Sequence, residues 1–364
     1  MSDLSQRVVL ATGGTGGHVF PAFALAQELS SRGFEVVVFS DGRGQQFTNA
    51  AIQTIEIPAS QLQGSLTQKM KGGFRLMQGI RHAHHYLRKL RPSIVVGFGG
   101  YASFPTMSAA CLMRFPTIVH QADAYFGRVN RKLAPFVTRI ATSFPRVDNI
   151  PISCQSKVSF TGLPVRSDIK PSPYVSSEES KPFDLLVMGG SQGARVFSDV
   201  VPQAVALLEE NLQKRLKISQ QCRSELLEMT KALYQNTKAK VELEPFLENM
   251  GNRYQNAHLV LSRSGASSVV ETALVGRPGL FVPYPYAMDD HQFYNAQQAA
   301  VCGGGWLVRE KDFTINKLSN ILSDLMTSPW KLEQAVVNIQ SIAIPDATQR
   351  LANLVEETAI RERN

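Results

Sequence analysis

Two glycine-rich turns carry the first chemistry in this chain. Gly13-Gly14-Thr15-Gly16-Gly17-His18 and Gly189-Gly190-Ser191-Gln192-Gly193-Ala194 each follow a short apolar run and precede a helix-length segment. A strand–turn–helix unit gathers free backbone N–H groups and the positive end of a helix dipole at one point, where a phosphate can sit. Glycine lets the backbone come close to a ligand because no Cβ intervenes. Neither turn is a dinucleotide fingerprint, since Gly14-Thr15-Gly16-Gly17-His18-Val19 has no glycine at its sixth position, and neither is a P-loop, since no Gly-Lys-Ser/Thr follows. Tight strand-to-helix packing is the competing reading of one such turn. Two at matching places in the two halves of the chain favour phosphate contact.

His18 stands where the first helix should begin. A helix N-terminus disfavours a cation, so this imidazole is expected to stay neutral near pH 7 and to accept a proton, as a general base for a hydroxyl nucleophile must; a histidine that only caps or packs the helix is the alternative. In the second half, Arg263-Ser264-Gly265-Ala266-Ser267-Ser268-Val269-Val270-Glu271 follows a strand and should open another helix. A carboxylate at Glu271 could accept hydrogen bonds from both ribose hydroxyls of a nucleotide whose phosphates lie near Ser191, although an ordinary solvated helix glutamate fits the position too. Asp289-Asp290-His291-Gln292 lacks the separated ligands that a metal cage requires, so no metal is assigned to it. Cys111, Cys154, Cys222 and Cys302 show no CxxC spacing and read as reduced structural thiols, neither zinc ligands nor a disulfide framework.

Positioning these groups requires alternating strands and helices. Short β-branched runs at Arg7–Ala11, Glu35–Phe39, Ser93–Phe98 and Thr117–His120, and again at Asp184–Met188, Val241–Glu244, His258–Ser262 and Gly279–Pro283, alternate with helix-length segments, the signature of parallel α/β units. Continuous apolar runs suit strands covered on both faces. At 364 residues, two domains are the default, and two nucleotide-fold halves facing each other across a cleft form the simplest architecture. Lys170–Lys181, rich in Pro, Ser and Glu, reads as a linker.

Charge narrows the partner. The net +8 is not spread evenly: between Glu56 and Asp123 there is no carboxylate, while Lys69, Lys71, Arg75, Arg81, Arg88, Lys89, Arg91 and Arg114 fall there, and the rest of the chain is balanced. One localised cationic region argues against a protein wrapped by nucleic acid and for an anionic surface or ligand met at one place. An apolar fraction of 43% with 19% charged residues excludes a disordered chain. The opening residues lead straight into a strand, so no signal peptide is expected, and no run is long and apolar enough to span a bilayer.

Taken in order, several motifs resemble one family. Gly13–His18 with Phe20-Pro21, Gly97-Phe98-Gly99-Gly100-Tyr101, Gly162-Leu163-Pro164-Val165-Arg166, Gly189–Ala194, Arg263–Ala266 with Glu271, Asp289–Gln292, and Ile344-Pro345-Asp346-Ala347-Thr348 resemble the MurG family of bacterial peptidoglycan glycosyltransferases, in glycosyltransferase family 28. The resemblance spans nearly the whole chain. It implies an α/β protein of the GT-B fold, two Rossmann-like domains across a cleft: residues 1–163 for acceptor and membrane, 164–343 for the sugar donor, and a C-terminal helix, 344–364, packing back on the first. It also implies inverting transfer of N-acetylglucosamine from UDP-GlcNAc to the C4 hydroxyl of the MurNAc unit of undecaprenyl-linked lipid I, giving lipid II, at the cytoplasmic face of the inner membrane and without a cofactor. Other cell-wall synthesis proteins are further partners to consider.

By the same resemblance, Arg166 and Ser191 contact the diphosphate, Leu247 the uracil through its backbone, Ala266 the diphosphate or sugar region, Glu271 the ribose and Gln292 the sugar. Thr15, Gly16, Gly17, His18 and Tyr101 match positions on the N-terminal side, where acceptor and reacting sugar meet. One departure stands out. The family usually reads His-Glu-Gln-Asn where this chain reads His120-Gln121-Ala122-Asp123. Gln121 cannot be a base, which leaves His18 or Asp123 as the proton acceptor.

Met70, Phe74, Met77, Ile80, Leu87 and Leu90 recur at helical steps among the cations of the acid-free region. They suit either a core-facing helix with a solvated basic side, or a segment entering the headgroup region, with Lys69, Lys71, Arg75 and Arg81 drawn to anionic lipid and the acceptor's pyrophosphate. A UDP-GlcNAc epimerase on the same fold, and a non-catalytic nucleotide-sugar-binding scaffold at the membrane, are the alternative functions. The failed fingerprint disfavours an NAD-linked dehydrogenase.

Overall fold

The β-branched runs of the sequence assemble two parallel sheets, each in its own structural unit. The structure is a computed structural model and describes residues 6–14, 16–42, 52–60, 65–178, 180–190 and 193–361. One unit comprises residues Met1–Arg166 and Asp346–Asn364, the other Ser167–Pro345. The chain therefore leaves the first unit after Arg166 and returns to it at Asp346.

In the first unit, strands β1 (Arg7–Thr12), β2 (Glu35–Ser40), β3 (Gln53–Glu56), β4 (Ile94–Gly97), β5 (Thr117–Gln121), β6 (Arg139–Thr142) and β7 (Val158–Phe160) pair in the order β3-β2-β1-β4-β5-β6-β7. Every pairing is parallel. Helices α1 (Gly16–Ser31), α2 (Leu66–Leu90), α3 (Gly100–Leu112) and α4 (Arg128–Leu133) connect them. Side chains alternate across the sheet, so Val8 and Leu10 join one core with Leu25 of α1, while Val9 and Ala11 join another with Leu87 of α2 and Met107 of α3. That two-sided burial is why the strands read as unbroken apolar runs. The C-terminal helix, Ala347–Arg361, completes the first core with Leu351, Ala352 and Val355, all fully buried.

In the second unit, β8 (Phe183–Met188), β9 (Leu216–Gln221), β10 (Lys240–Glu244), β11 (Leu259–Ser262), β12 (Gly279–Phe281) and β13 (Gly305–Leu307) take the order β10-β9-β8-β11-β12-β13, again parallel. The helices are α5 (Arg195–Ala206), α6 (Glu210–Arg215), α7 (Leu227–Tyr234), α8 (Met250–Asn256), α9 (Ala266–Val275), α10 (His291–Val301), α11 (Ile315–Thr327) and α12 (Pro329–Ile339).

The eight strands expected from apolar runs are present, and β3, β6, β7, β9 and β13 join them. β9 escaped the pattern because it carries polar residues inward: Gln220 is fully buried, its side-chain oxygen accepting from the Tyr234 hydroxyl at 2.7 Å. Lys170–Lys181 is not a free linker. It lies on the second unit, where Arg277, 1% exposed, donates to the carbonyls of Ser172 and Pro173 and to those of Tyr254, Gln255 and Val275. With the Gly276 carbonyl, one buried guanidinium thus satisfies six backbone acceptors from three segments, which offsets its desolvation.

The apolar stripe of α2 divides. Leu87 is fully buried and Ile80 and Leu90 pack on the core, but Met70, Phe74 and Met77 are 71%, 75% and 60% exposed. The helix starts at a Ser65–Gln68 capping box and ends at Arg91 in the left-handed region. No helix among the described residues is long and apolar enough to cross a membrane.

Candidate active site

In an open parallel sheet, ligands bind beyond the carboxyl ends of the strands where the strand order reverses. Those points are β1/β4 in the first unit and β8/β11 in the second, and each glycine turn leaves the first strand of such a pair.

In the first unit, Asp41, just past β2, draws the two N-terminal motifs together. Its Oδ1 accepts the Gly14 N–H at 3.1 Å and its Oδ2 the Tyr101 hydroxyl at 3.4 Å. A Cβ on Gly13 would stand 2.5 Å from Asp41 Oδ1, so glycine is required there. Gly16 opens α1, and His18 lies in its first turn, its carbonyl held by the Thr12 hydroxyl at 2.8 Å. The half-buried imidazole of His18 rests on the second glycine motif: a Cβ on Gly100 (φ +68°) would be 3.4 Å from its Cδ2 and 3.5 Å from its Nε2. Gly17 is exposed in the same turn. Thr15 lies outside the described residues.

The departure at β5 has a structural explanation. Gln121, 3% exposed, accepts from the Gly127 N–H at 3.2 Å and from Asn130 Nδ2 at 2.9 Å, and donates to the carbonyls of Asp123 and Tyr125 at 3.1 and 2.8 Å. Its amide knits the loop that carries the half-buried Asp123, and it does not present itself to a substrate. Beside it, His120 is 1% exposed, and burial pushes its pKa down to about 4, so the ring is neutral at physiological pH. Its Nε2 lies 3.3 Å from the Gly162 carbonyl, at the start of the segment leading to Arg166. Arg166 belongs with the first unit, its guanidinium 5.5 Å from the centre of the Phe20 ring.

In the second unit, a Cβ on Gly189 would meet the Ala194 nitrogen at 2.1 Å, and Gly190 and Gly193 have φ of +79° and +66°, so the turn needs its glycines. Ser191 lies outside the described residues. Arg223, two residues past β9, packs its stem against Gly193, where a Cβ would be 2.8 Å from Arg223 Cγ, and its Nη2 lies 3.5 Å from the Gly193 carbonyl. Its pairing with Glu225 is loose, at 3.7 Å. This cation beside the turn was not legible in the sequence, because β9 itself was not.

At β11, Arg263 serves as an internal clamp: 8% exposed, it donates to Val282 and Pro283, pairs with Glu310, and stacks on Phe197 and Tyr284. The next residues build the site. Ser264 Oγ donates to the Gln292 carbonyl at 2.8 Å, and Gln292 Oε1 accepts the Tyr284 N–H at 2.9 Å. Ala266, buried, is the first residue of α9, and the half-buried Glu271 further along it accepts from the Tyr254 hydroxyl at 3.2 Å. Leu247 is buried in the loop after β10. Both carboxylate oxygens of Asp290 accept from Arg309 Nη1, at 2.9 and 2.8 Å. The expected residues thus fall into two groups, His18, Tyr101, Asp123 and Arg166 in one unit and Leu247, Ala266, Glu271 and Gln292 in the other.

Known proteins share this organisation. Residues 8–142 match the glycosyltransferase family 28 N-terminal domain and residues 184–351 its C-terminal domain. A protein of Paramagnetospirillum magneticum named UDP-N-acetylglucosamine–N-acetylmuramyl-(pentapeptide) pyrophosphoryl-undecaprenol N-acetylglucosamine transferase is 42% identical over 98% of this chain and 97% of its own. The protein of the same name from Rhodospirillum rubrum is 43% identical over 97% and 92%. Among solved structures, MurG of Acinetobacter baumannii superposes with a TM-score of 0.80 at 28% identity, over 97% of this chain and 99% of that one. With its two parallel α/β units of the GT-B fold and both domain matches, the chain belongs to glycosyltransferase family 28.

Proposed function

We propose that this protein transfers N-acetylglucosamine from UDP-GlcNAc to N-acetylmuramyl-(pentapeptide)-pyrophosphoryl-undecaprenol in peptidoglycan biosynthesis. The observation that carries the reading is the placement of a glycine turn at the switch point of each sheet, one beside His18 and the other in the unit holding Glu271 and Gln292. The second unit takes the donor: Glu271 meets the ribose, Leu247 the uracil, Ala266 the diphosphate or sugar region, Gln292 the sugar, and the turn around Ser191 the diphosphate. The first unit takes the acceptor, with Gly16, Gly17 and Tyr101 lining its place and Arg166 adding charge for the diphosphate.

In the reaction, the acceptor hydroxyl oxygen bonds to the anomeric carbon from the face opposite UDP, and the bond from that carbon to the diphosphate oxygen breaks. His18 takes the hydroxyl proton; Asp123 is the alternative acceptor of it. The electron pair leaves on the diphosphate, where backbone N–H groups and arginine charge stabilise it. The configuration inverts.

The membrane reading rests on α2. Met70, Phe74 and Met77 form an exposed apolar face, and Lys71, Arg75, Arg81, Arg88 and Lys89 are exposed around it in a segment without carboxylates. The side chain of Lys69 lies outside the described residues. Such a face suits the headgroup region of an anionic leaflet, which supports a peripheral location at the cytoplasmic face of the bacterial membrane.

The test is labelled UDP-GlcNAc supplied with and without the lipid acceptor, followed for UDP release and lipid-linked sugar. Acceptor-dependent appearance of both is expected, and His18→Ala should lower kcat by roughly 10²–10⁴-fold. Conversion of UDP-GlcNAc without acceptor would point to the epimerase instead, and binding without turnover to the scaffold. Undiminished turnover in His18→Ala would move the base to another group.

A further inference from the structure

Next to the first glycine turn lies a cavity of about 460 Å³, within the roughly 300–1,000 Å³ common for ligand sites. Asp41 and Tyr101 form the wall it shares with the turn, and Asp41 is 6% exposed. Residues Ile57 to Ser60 and Arg75 of α2 also line it. α2 closes on this segment so tightly that a Cβ on Gly79 would lie 2.0 Å from the Pro58 carbonyl oxygen.

The lining has a definite chemistry. Asp41 and Glu56 present carboxylates, Arg75 a guanidinium, Ser60 and Tyr101 hydroxyls, with Ile57, Pro58 and Ala59 between them. Two carboxylates repel a phosphate, and a polar lining penalises a lipid tail. Opposite charges within one small cavity instead match a ligand with N–H donors or an ammonium at one point and a carboxylate at another. A peptide joined to a sugar through its N-terminus supplies backbone N–H groups and ends in a free carboxylate.

We propose that this cavity is a subsite for the peptide arm of the acceptor, Glu56 receiving N–H or ammonium groups and Arg75 the carboxylate, while Asp41 ties the subsite to the Gly14 turn and Tyr101. The inference rests on the acceptor assignment above and extends it from the sugar to the peptide. It gives the first unit a means of selecting acceptors by what the muramyl group carries.

The test uses the full chain in detergent, so that membrane binding does not enter, with two lipid-pyrophosphoryl-N-acetylmuramyl acceptors: one bearing the pentapeptide, the other cut back to a single residue. The wild type should prefer the pentapeptide acceptor in kcat/KM by about tenfold, and Glu56→Gln and Arg75→Met should each shrink that preference about fivefold with KM for UDP-GlcNAc unchanged. Thermal melting of each variant at the wild-type temperature keeps a folding defect from imitating the result. Equal use of both acceptors by the wild type, or variants that lose both equally, overturns the subsite. Transfer to neither acceptor overturns the acceptor reading beneath it.

Discussion

Gln121 makes four hydrogen bonds to the segment that follows it, from Asp123 to Asn130, two as donor and two as acceptor. A glutamate, the usual family residue, would set a carboxylate oxygen against the carbonyls of Asp123 and Tyr125. The sequence alone showed that residue 121 is no base; only the fold shows that its amide shapes the loop holding Asp123. Arg223 is the converse case, a cation that no motif announced, seated on Gly193 by the pairing of β9 with β8. If it faces the diphosphate, Arg223→Ala should weaken UDP about tenfold in calorimetric titration and uridine hardly at all, whereas Glu271→Ala should weaken both. Equal loss of UDP and uridine in Arg223→Ala would mean that it only supports the turn. His120 sets a pH dependence. Its pKa falls from 6.5 to about 4 on folding because burial disfavours the cation. The unfolded chain therefore binds more protons between those values, and stability must rise with pH across that window. Denaturant midpoints measured from pH 4 to 7 should show this slope, and His120→Gln should flatten it.

Helix α2 shows how one periodic stripe can serve two surroundings. Its apolar residues recur at regular steps, and nothing in the spacing separates Leu87, fully buried, from Phe74, 75% exposed. The difference arises because only part of the helix lies over the sheet and α3, and Gly79 permits the close approach to Pro58. Gly79→Ala should accordingly cost about 1–3 kcal/mol by overpacking, whereas Gly73→Ala, with nothing within 4 Å of the new Cβ, should stabilise the helix by about 0.5–1 kcal/mol. Chemical denaturation of the two variants checks the contrast. At the membrane, reversing Lys71 and Arg81 to glutamate should abolish sedimentation with anionic vesicles while leaving UDP affinity intact. Arg75 is spared in that test because it lines the cavity. Binding indifferent both to lipid charge and to these substitutions would remove α2 as the docking element.

On the scale of the whole molecule, the chain closes its first unit with its last helix. Leu351 and Val355 are fully buried against the core of β1 and α1, and Arg32 bonds to Asn353 at 2.7 Å and Glu356 at 3.1 Å. Leu351→Ala should cost about 2–5 kcal/mol, and the loss should fall on the first unit, with UDP affinity, which the proposed function assigns to the second, preserved at low temperature. A variant as stable as the wild type would show that the helix contributes little to that core. Local sequence already determined a great deal here. Two-sided burial forces unbroken apolar strands and tight turns force glycines, both within a few residues of chain, and the stretch between Glu56 and Asp123 gathers cations without a carboxylate. What the tertiary structure decided depends on pieces far apart in sequence: the polar strand β9 and its Arg223, Asp41 joining two glycine motifs, Arg277 binding the expected linker to the second unit, and the partition of α2. A side chain's type is written in the sequence, but its burial and its partners are set by whatever the fold brings against it.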